Sequence, residues 1–187
     1  MRVEDTELGG VNIVHLDVFR DDRGLFVETF DARAFAALGI DTRFVQDSFS
    51  SSPAKGTVRG LHFQVPPRAQ AKLVRVTRGR VFDVVVDIRR ASPTFGRHVA
   101  LILDAAEWRQ LFIPTGFAHG FCTLEADTEI VYKMSDHFSP EHYRGLLWSD
   151  PDLGISWPVS VSQAIVSDKD KKHPRLKDLP DYFAGAV

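Results

Sequence analysis

Short strand-forming runs, cut at close intervals by turn chemistry, constrain this chain more than any other feature. VNIVHLDVF, GLFVETF, TVRGLHFQV, AKLVRVT, RVFDVVVDI, HVALILD, RQLFIP, GFCTLE and TEIVYKM recur between clusters of Gly, Pro, Asp and Ser. β-Branched and aromatic residues favour the pleated, half-buried surface of a strand, and strands this short are stable only when several share one core. Many of them at roughly regular spacing predict a mainly β fold, a jelly-roll barrel of the cupin-like, double-stranded β-helix kind with a few short helices. The one clear helical stretch is DARAFAALGI, with Asp31 as its N-cap and Gly39 as its stop. VTRGRVFDV reads as a hairpin with Arg78 and Gly79 at its tip. SDKDKKHPRLKDLPDYF, charged and interrupted by prolines, reads as short helical turns and loops lying over the barrel. No repeat, low-complexity tract or linker divides the chain, so residues 1–187 are expected to form one domain.

Charge and composition narrow the function classes. With 23 basic against 25 acidic residues the net charge is −2, which gives no electrostatic case for nucleic acid or an anionic membrane. The start, MRVEDTELGG, is acidic and lacks the apolar region of a secretory signal. The longest apolar runs, such as VFDVVVDI, are short and carry aspartates, so no spanning helix is expected. The single cysteine, Cys122, has no partner for an internal disulfide and is expected to be packed and inert in a strand. These properties predict a cytoplasmic protein without nucleic-acid or membrane partners.

Several strands break the apolar alternation of a barrel that is only a core. In RGLHFQ (59–64), Leu61 and Phe63 point one way while Gly60, His62 and Gln64 point the other. Lys72 falls in register with Val74 and Val76, Asp83 with Val81, Val85 and Asp87, and Tyr132 with Ile130 and Met134, while His119 follows the turn PTG. Such residues, brought together, suit proton transfer at a carbon next to a carbonyl. That chemistry needs a base with a pKa near working pH, a cation for the enolate oxygen and an acid on the opposite face. Each residue alone has a plain structural role open to it: a hydrogen-bonded strand histidine, a solvated lysine, a core tyrosine whose hydroxyl reaches the surface. Periodicity does not decide between these readings.

A metal-binding jelly roll is expected to carry closely spaced histidines and a carboxylate. Here the residue two after His62 is Gln64, and His119 has no histidine or carboxylate within three residues. His15, His98, His137, His142 and His173 scatter through expected loops and strand ends, so no metal site is expected.

The chain resembles the cofactor-independent nucleotide-sugar epimerases typified by dTDP-4-dehydrorhamnose 3,5-epimerase. The resemblance runs from about Val11 to Asp170 and is carried in order by DDRGLFVETF (21–30), FVQD (44–47), VRGLHFQ (58–64), AKLVRVTRGRVFDVVVDIR (71–89) and SPTFG (92–96). It continues through FIPTGFAHGF (112–121), VYK (131–133), SPE (139–141), WSDPDLGISWP (148–158) and SDKD (167–170). It implies His62 as the catalytic base, Asp170 as its carboxylate partner (Asp168 if that segment is shifted), Tyr132 as the acid and Lys72 as the cation beside the C4 oxygen. His119 matches a sugar-site residue and Arg59 a residue suited to the diphosphate. Arg23, Phe26, Glu28, Gln46, Ser48, Phe138, Tyr143 and Lys169 fall at further substrate-binding positions. In the family some of these come from a partner subunit, so a homodimer with sites completed across subunits is implied, with a dTDP-sugar substrate and no cofactor.

Departures from the family pattern sit together. Ser48 stands where Asn is usual, His137 and Phe138 where two tyrosines are common, and Tyr143 where a glutamate is usual. They are expected to bear on the nucleotide end and to spare the proton-transfer set. The resemblance implies inversion at both C3 and C5 of a dTDP-4-keto-6-deoxyhexose. Inversion at one carbon only, another nucleotide carrier, and a non-catalytic sugar-nucleotide-binding jelly roll are the alternatives.

Overall fold

A computed structural model describes residues 1–184 of the 187-residue chain. Its first strands are β1 (Arg2–Asp5), β2 (Asn12–His15), β3 (Phe19–Asp21) and β4 (Gly24–Phe26), followed by the helix α1 (Ala32–Ala37). Next come β5 (Gln46–Ser52), β6 (Thr57–Gln64), β7 (Lys72–Arg78), β8 (Arg80–Asp87) and β9 (His98–Asp104). β10 (Arg109–Ile113), β11 (Phe117–Thr123), β12 (Thr128–Met134), β13 (Tyr143–Gly145) and β14 (Ile165–Val166) complete the strands. Among the described residues no helix is long and apolar enough to cross a membrane.

Two antiparallel sheets face each other in the jelly-roll arrangement. One runs β1-β2-β10-β7-β12-β5 and the other β13-β6-β11-β8-β9, with β14 added to β6 in parallel. Strand alternation sorts the side chains. Val74, Val76, Leu111 and Ile130 from the first sheet meet Val81, Val85, Phe117 and Phe121 from the second in the core between them. Leu61, Phe63, Val84 and Val86 point out of the second sheet and are covered by Leu176, Leu179 and Phe183 of the C-terminal segment. That segment forms two short 3-10 turns, Asp170–Lys172 and Leu176–Asp178, as its charged, proline-broken sequence predicts.

Asp31 caps α1 by accepting from the Ala34 N–H at 2.9 Å, and Gly39 follows the helix with φ +86°. The expected hairpin at Arg78–Gly79 does not form. β7 pairs with β10 and β12, β8 with β9 and β11, and the chain passes from one sheet to the other at Gly79. Gly79 has φ +75°, and a Cβ there would lie 2.6 Å from Thr128 Oγ1. The glycine marks a corner between sheets, a chemistry the two-residue turn shares.

β5 escapes strand reasoning because QDSFSSS carries a single β-forming residue, Phe49, among serines. It is an edge strand held by β12, with Ser48 opposite Tyr132 and Ser50 opposite Ile130. β1, β13 and β14 are likewise short edge pieces whose partners, not their composition, make them strands.

Candidate active site

A cavity of about 590 Å³ opens between the sheets, lined by His62, Lys72, His119, Tyr132 and Asp170. β6 of the second sheet contributes His62, while β7 and β12 of the first sheet contribute Lys72 and Tyr132. The polar positions that alternation sets facing inward therefore do converge.

Asp170 reaches His62 through the parallel docking of β14. Ile165 pairs with Thr57 and Val166 with Val58, so the chain travels in the direction of β6 and turns at Asp170–Lys172 beside His62. Asp170 Oδ1 lies 2.8 Å from His62 Nε2, and Oδ2 accepts from the Gly60 N–H at 3.2 Å. A carboxylate only accepts, so it holds the imidazole proton on Nε2 and leaves Nδ1 as the basic nitrogen. Burial pushes the His62 pKa down, Asp170 opposes that, and Lys72 and His173 add to it. Burial also works against the Asp170 charge, but His173, His62 and the Gly60 N–H hold its carboxyl far below the usual range.

Two glycines admit this packing. At Gly60 (φ +129°) a Cβ would lie 2.6 Å from the Gly120 Cα and 2.9 Å from the His119 carbonyl oxygen. At Gly145, opposite His62 in β13, a Cβ would lie 2.2 Å from His173 Nε2.

His173 lies in a loop, as expected, but that loop sets it beside His62 and Asp170. Its Nε2 lies 3.4 Å from Asp170 Oδ1, is fully enclosed and makes no well-aligned hydrogen bond, and its ring meets that of His62 edge-on at 5.9 Å. His62, Asp170 and His173 place two imidazoles and a carboxylate with ligating atoms all within 4.8 Å of one another. The i, i+3 spacing from Asp170 was the available signal, since a 3-10 turn eclipses such residues.

Lys72 is buried, and its ammonium donates to the His62 carbonyl oxygen at 3.0 Å. Burial pulls its pKa down to about 8, with Asp83 opposing. The Tyr132 hydroxyl meets Ser50 Oγ at 3.1 Å. Burial pushes the Tyr132 phenol pKa well up, the Ser50 hydrogen bond opposes this, Asp83 adds to it and Arg59 opposes it. Ser50 was missed as a site residue because β5 was missed, although it follows Gln46 and Ser48 at period two. His119 Nε2 sits 2.9 and 3.0 Å from the two oxygens of Asp83, a pair sealed in the barrel. Sequence spacing could not supply this partner, which comes from the neighbouring strand β8.

Arg59, Phe138, Tyr143 and Lys169 also line the cavity. Arg59 is braced by its Nε on Ser52 Oγ (3.1 Å) and its NH2 on the Ser51 carbonyl (3.0 Å). Tyr143 corrects the expectation that the family departures spare the proton-transfer set. Its ring packs 5.2 Å from His62 as well as 5.6 Å from Phe138, with Lys169 Nζ 3.9 Å above it. Gln46 stands behind the wall: its Oε1 accepts from the Phe138 N–H at 2.8 Å and its Nε2 donates to Ser48 Oγ at 3.1 Å. Ser48 itself lines a neighbouring cavity with Asp47 and Phe49.

Arg23, Phe26 and Glu28 lie outside the cavity. Arg23 and Phe26 belong to the β3–β4 ribbon, which pairs with neither sheet and is exposed throughout, and Glu28 follows it. Cys122 is buried, and burial pushes its thiol up to about 11.

Comparison with known proteins identifies a family of nucleotide-sugar epimerases. The family model described as dTDP-4-dehydrorhamnose 3,5-epimerase matches residues 5–178. A protein of that name from Shigella flexneri is 49% identical over 184 residues, 98% of this chain and 99% of the relative. A crystal structure of a dTDP-4-dehydrorhamnose 3,5-epimerase from Bacillus anthracis, with TDP and PPi bound, superposes with a TM-score of 0.90 at 44% identity, covering 93% of this chain and 98% of that one. A dTDP-6-deoxy-D-glucose-3,5-epimerase from Legionella pneumophila in complex with dTDP-4-keto-L-rhamnose gives 0.90 at 43% identity, covering 96% and 94%.

Proposed function

The chain belongs to the dTDP-4-dehydrorhamnose 3,5-epimerase family, and from that membership we propose that it converts dTDP-4-dehydro-6-deoxy-D-glucose to dTDP-4-dehydro-L-rhamnose by inverting C3 and C5. The observation that carries this reading is His62 on one sheet, paired with Asp170 from the C-terminal turn, facing Lys72 and Tyr132 from the other sheet across one cavity. The C4 ketone acidifies the hydrogens on C3 and C5. His62 Nδ1 takes such a proton, and Asp170 stabilises the imidazolium that results. The electron pair left on carbon moves onto the C4 oxygen, where the Lys72 ammonium meets charge that exists only as the enolate forms. Tyr132 then gives its phenolic proton to the same carbon from the opposite face, the configuration inverts, and exchange with solvent restores the base and the acid.

The remaining wall suits a sugar nucleotide. The forked donors of Arg59 match diphosphate oxygens, and the exposed ring of Phe138 offers a face for the base. The β3–β4 ribbon displays Phe19 and Phe26, 58% and 63% exposed, beside Arg23. Apolar rings so exposed on a ribbon outside both sheets support a homodimer in which Arg23, Phe26 and Glu28 enter the site of the second copy.

The test is incubation of metal-stripped protein with the 4-keto substrate in D2O, followed by NMR at C3 and C5. Deuterium is expected at both carbons, and His62→Ala should abolish it. Tyr132→Phe should impair inversion more than the first proton removal. Exchange at neither carbon, or exchange only with added metal, would overturn the reading, and exchange at a single carbon would reduce it to a mono-epimerase.

A further inference from the structure

We propose that His62, Asp170 and His173 form a site for a divalent transition-metal ion of the zinc class, and that the ion, when bound, silences the base. Two imidazole nitrogens and one carboxylate oxygen are a donor set that suits zinc, cobalt(II) or nickel and disfavours magnesium and calcium, which seek oxygen ligands. The donors converge from two segments: His62 from β6, Asp170 and His173 from one 3-10 turn and its end. Their ligating atoms lie within 4.8 Å of one another, and Asp170 Oδ1 already stands 2.8 and 3.4 Å from the two Nε2 atoms. With metal–ligand bonds of roughly 2.0–2.2 Å, neighbouring donors in such a site stand a little over 3 Å apart, so modest side-chain movement suffices.

A second observation points the same way. His173 Nε2 is enclosed, and at 3.4 Å from Asp170 Oδ1 it forms no well-aligned hydrogen bond, which leaves a buried polar atom poorly satisfied. Its ring occupies the space over Gly145 that any larger residue would deny it, which aims that nitrogen toward Asp170. The His62 side chain is 23% exposed, so an ion enters from the substrate cavity and keeps a coordination position open toward it.

The consequence for chemistry follows from the tautomer. Neutral His62 ligating through Nε2 carries its proton on Nδ1, the nitrogen that must accept the substrate proton, and Asp170 is withdrawn from the imidazole. Binding stands on geometry alone, whereas inhibition also rests on the proposed epimerase reading.

Metal-stripped protein titrated with CoCl2 should take up one equivalent and develop visible absorption bands of low-symmetry, nitrogen-ligated cobalt, which ZnCl2 should then bleach. His173→Phe keeps the ring over Gly145 and removes the ligand, and His173→Gln serves as the second variant if that one misfolds. Loss of an outer-shell partner alone costs roughly 10–100-fold in metal affinity, so loss of this ligand should weaken binding at least tenfold. In parallel, ZnCl2 should suppress solvent deuterium exchange by wild type and leave the His173 variants unaffected, each compared with its own metal-free rate. Absent cobalt bands, cobalt affinity unchanged in both variants, or equal zinc inhibition of all three proteins would each overturn the proposal. A wild-type protein that binds cobalt but exchanges nothing would instead defeat the epimerase reading and leave the metal site standing.

Discussion

Lys72→Met should make the protein more stable and its active site nearly inert in one step. The Lys72 side chain is 8% exposed, with the His62 carbonyl as its hydrogen-bond acceptor and Asp83 as the charge that supports it, and burial drops its pKa from 10.5 to about 8. At ~1.4 kcal/mol per pKa unit that drop corresponds to about 3 kcal/mol of charging penalty at neutral pH. Methionine fills a similar volume without the charge and gives up one hydrogen bond, about 1 kcal/mol, so the net gain is about 2 kcal/mol. For a chain of this size that raises Tm by roughly 4–8 °C.

The pH dependence carries the sharper test. Unfolded Lys72 keeps its proton up to 10.5, whereas the folded group releases it at about 8. Between those values the unfolded state binds more protons, so wild-type stability rises with pH there. The gap between the two proteins should therefore shrink from about 2 kcal/mol at pH 7 to near zero by about pH 9.5. Urea denaturation at both pH values measures it, and the D2O exchange assay on the same samples should show a loss of roughly 10²–10³ in rate. A variant less stable than wild type at pH 7, or a gap that does not move with pH, would refute the argument that an unsolvated ammonium is held there at a cost.

Three further outcomes follow from the site. kcat/KM should rise with pH through a value below the ordinary 6.5 of histidine, as His62 becomes neutral, and fall near about 8 as Lys72 loses its proton; Lys72→Arg should move only the alkaline limb upward. Ser50→Ala should remove the donor that meets the Tyr132 phenolate, slowing inversion by roughly 10–100-fold while the first proton removal persists, and Ser50→Thr should restore most of it. Equal loss of both steps in Ser50→Ala would argue against that role. Mixing Arg23→Ala with His62→Ala protein should regain activity that neither has alone, because a mixed dimer rebuilds one intact site; no recovery after exchange of subunits would place Arg23 outside its partner's site.

How much of this was legible in the sequence depends on where the determining forces act. Alternation is a local property, so TVRGLHFQV, AKLVRVT and TEIVYKM disclosed both their strands and the inward faces of His62, Lys72 and Tyr132. Which strands pair is not local, and the corner at Gly79 passed for a hairpin because a positive-φ glycine serves both. β5 was hidden by its serines, and with it went Ser50. His119 looked unpartnered because Asp83 stands across a strand boundary, 36 residues away in sequence. His173 was masked by lying in a segment whose charge and prolines describe a loop correctly but say nothing of what the loop covers.

Gln64 shows why the same inward face carries one functional imidazole and no second. Its Nε2 donates to the carbonyls of Arg68 and His137, and its Oε1 accepts from the Ser139 N–H, so this buried amide holds the loop that presents Phe138. The strand thus commits one polar residue to chemistry and the next to shaping the wall beside it. The partner that tunes His62 is supplied from the C-terminal turn, which stays in place because Leu176, Leu179 and Phe183 are buried against the outer face of the same sheet. Basicity at His62 is consequently coupled to packing on the far side of β6. A change that loosens the C-terminal cover should weaken the base before it unfolds the barrel, since Asp170 depends on that cover while Lys72 and Tyr132, on the opposite sheet, do not.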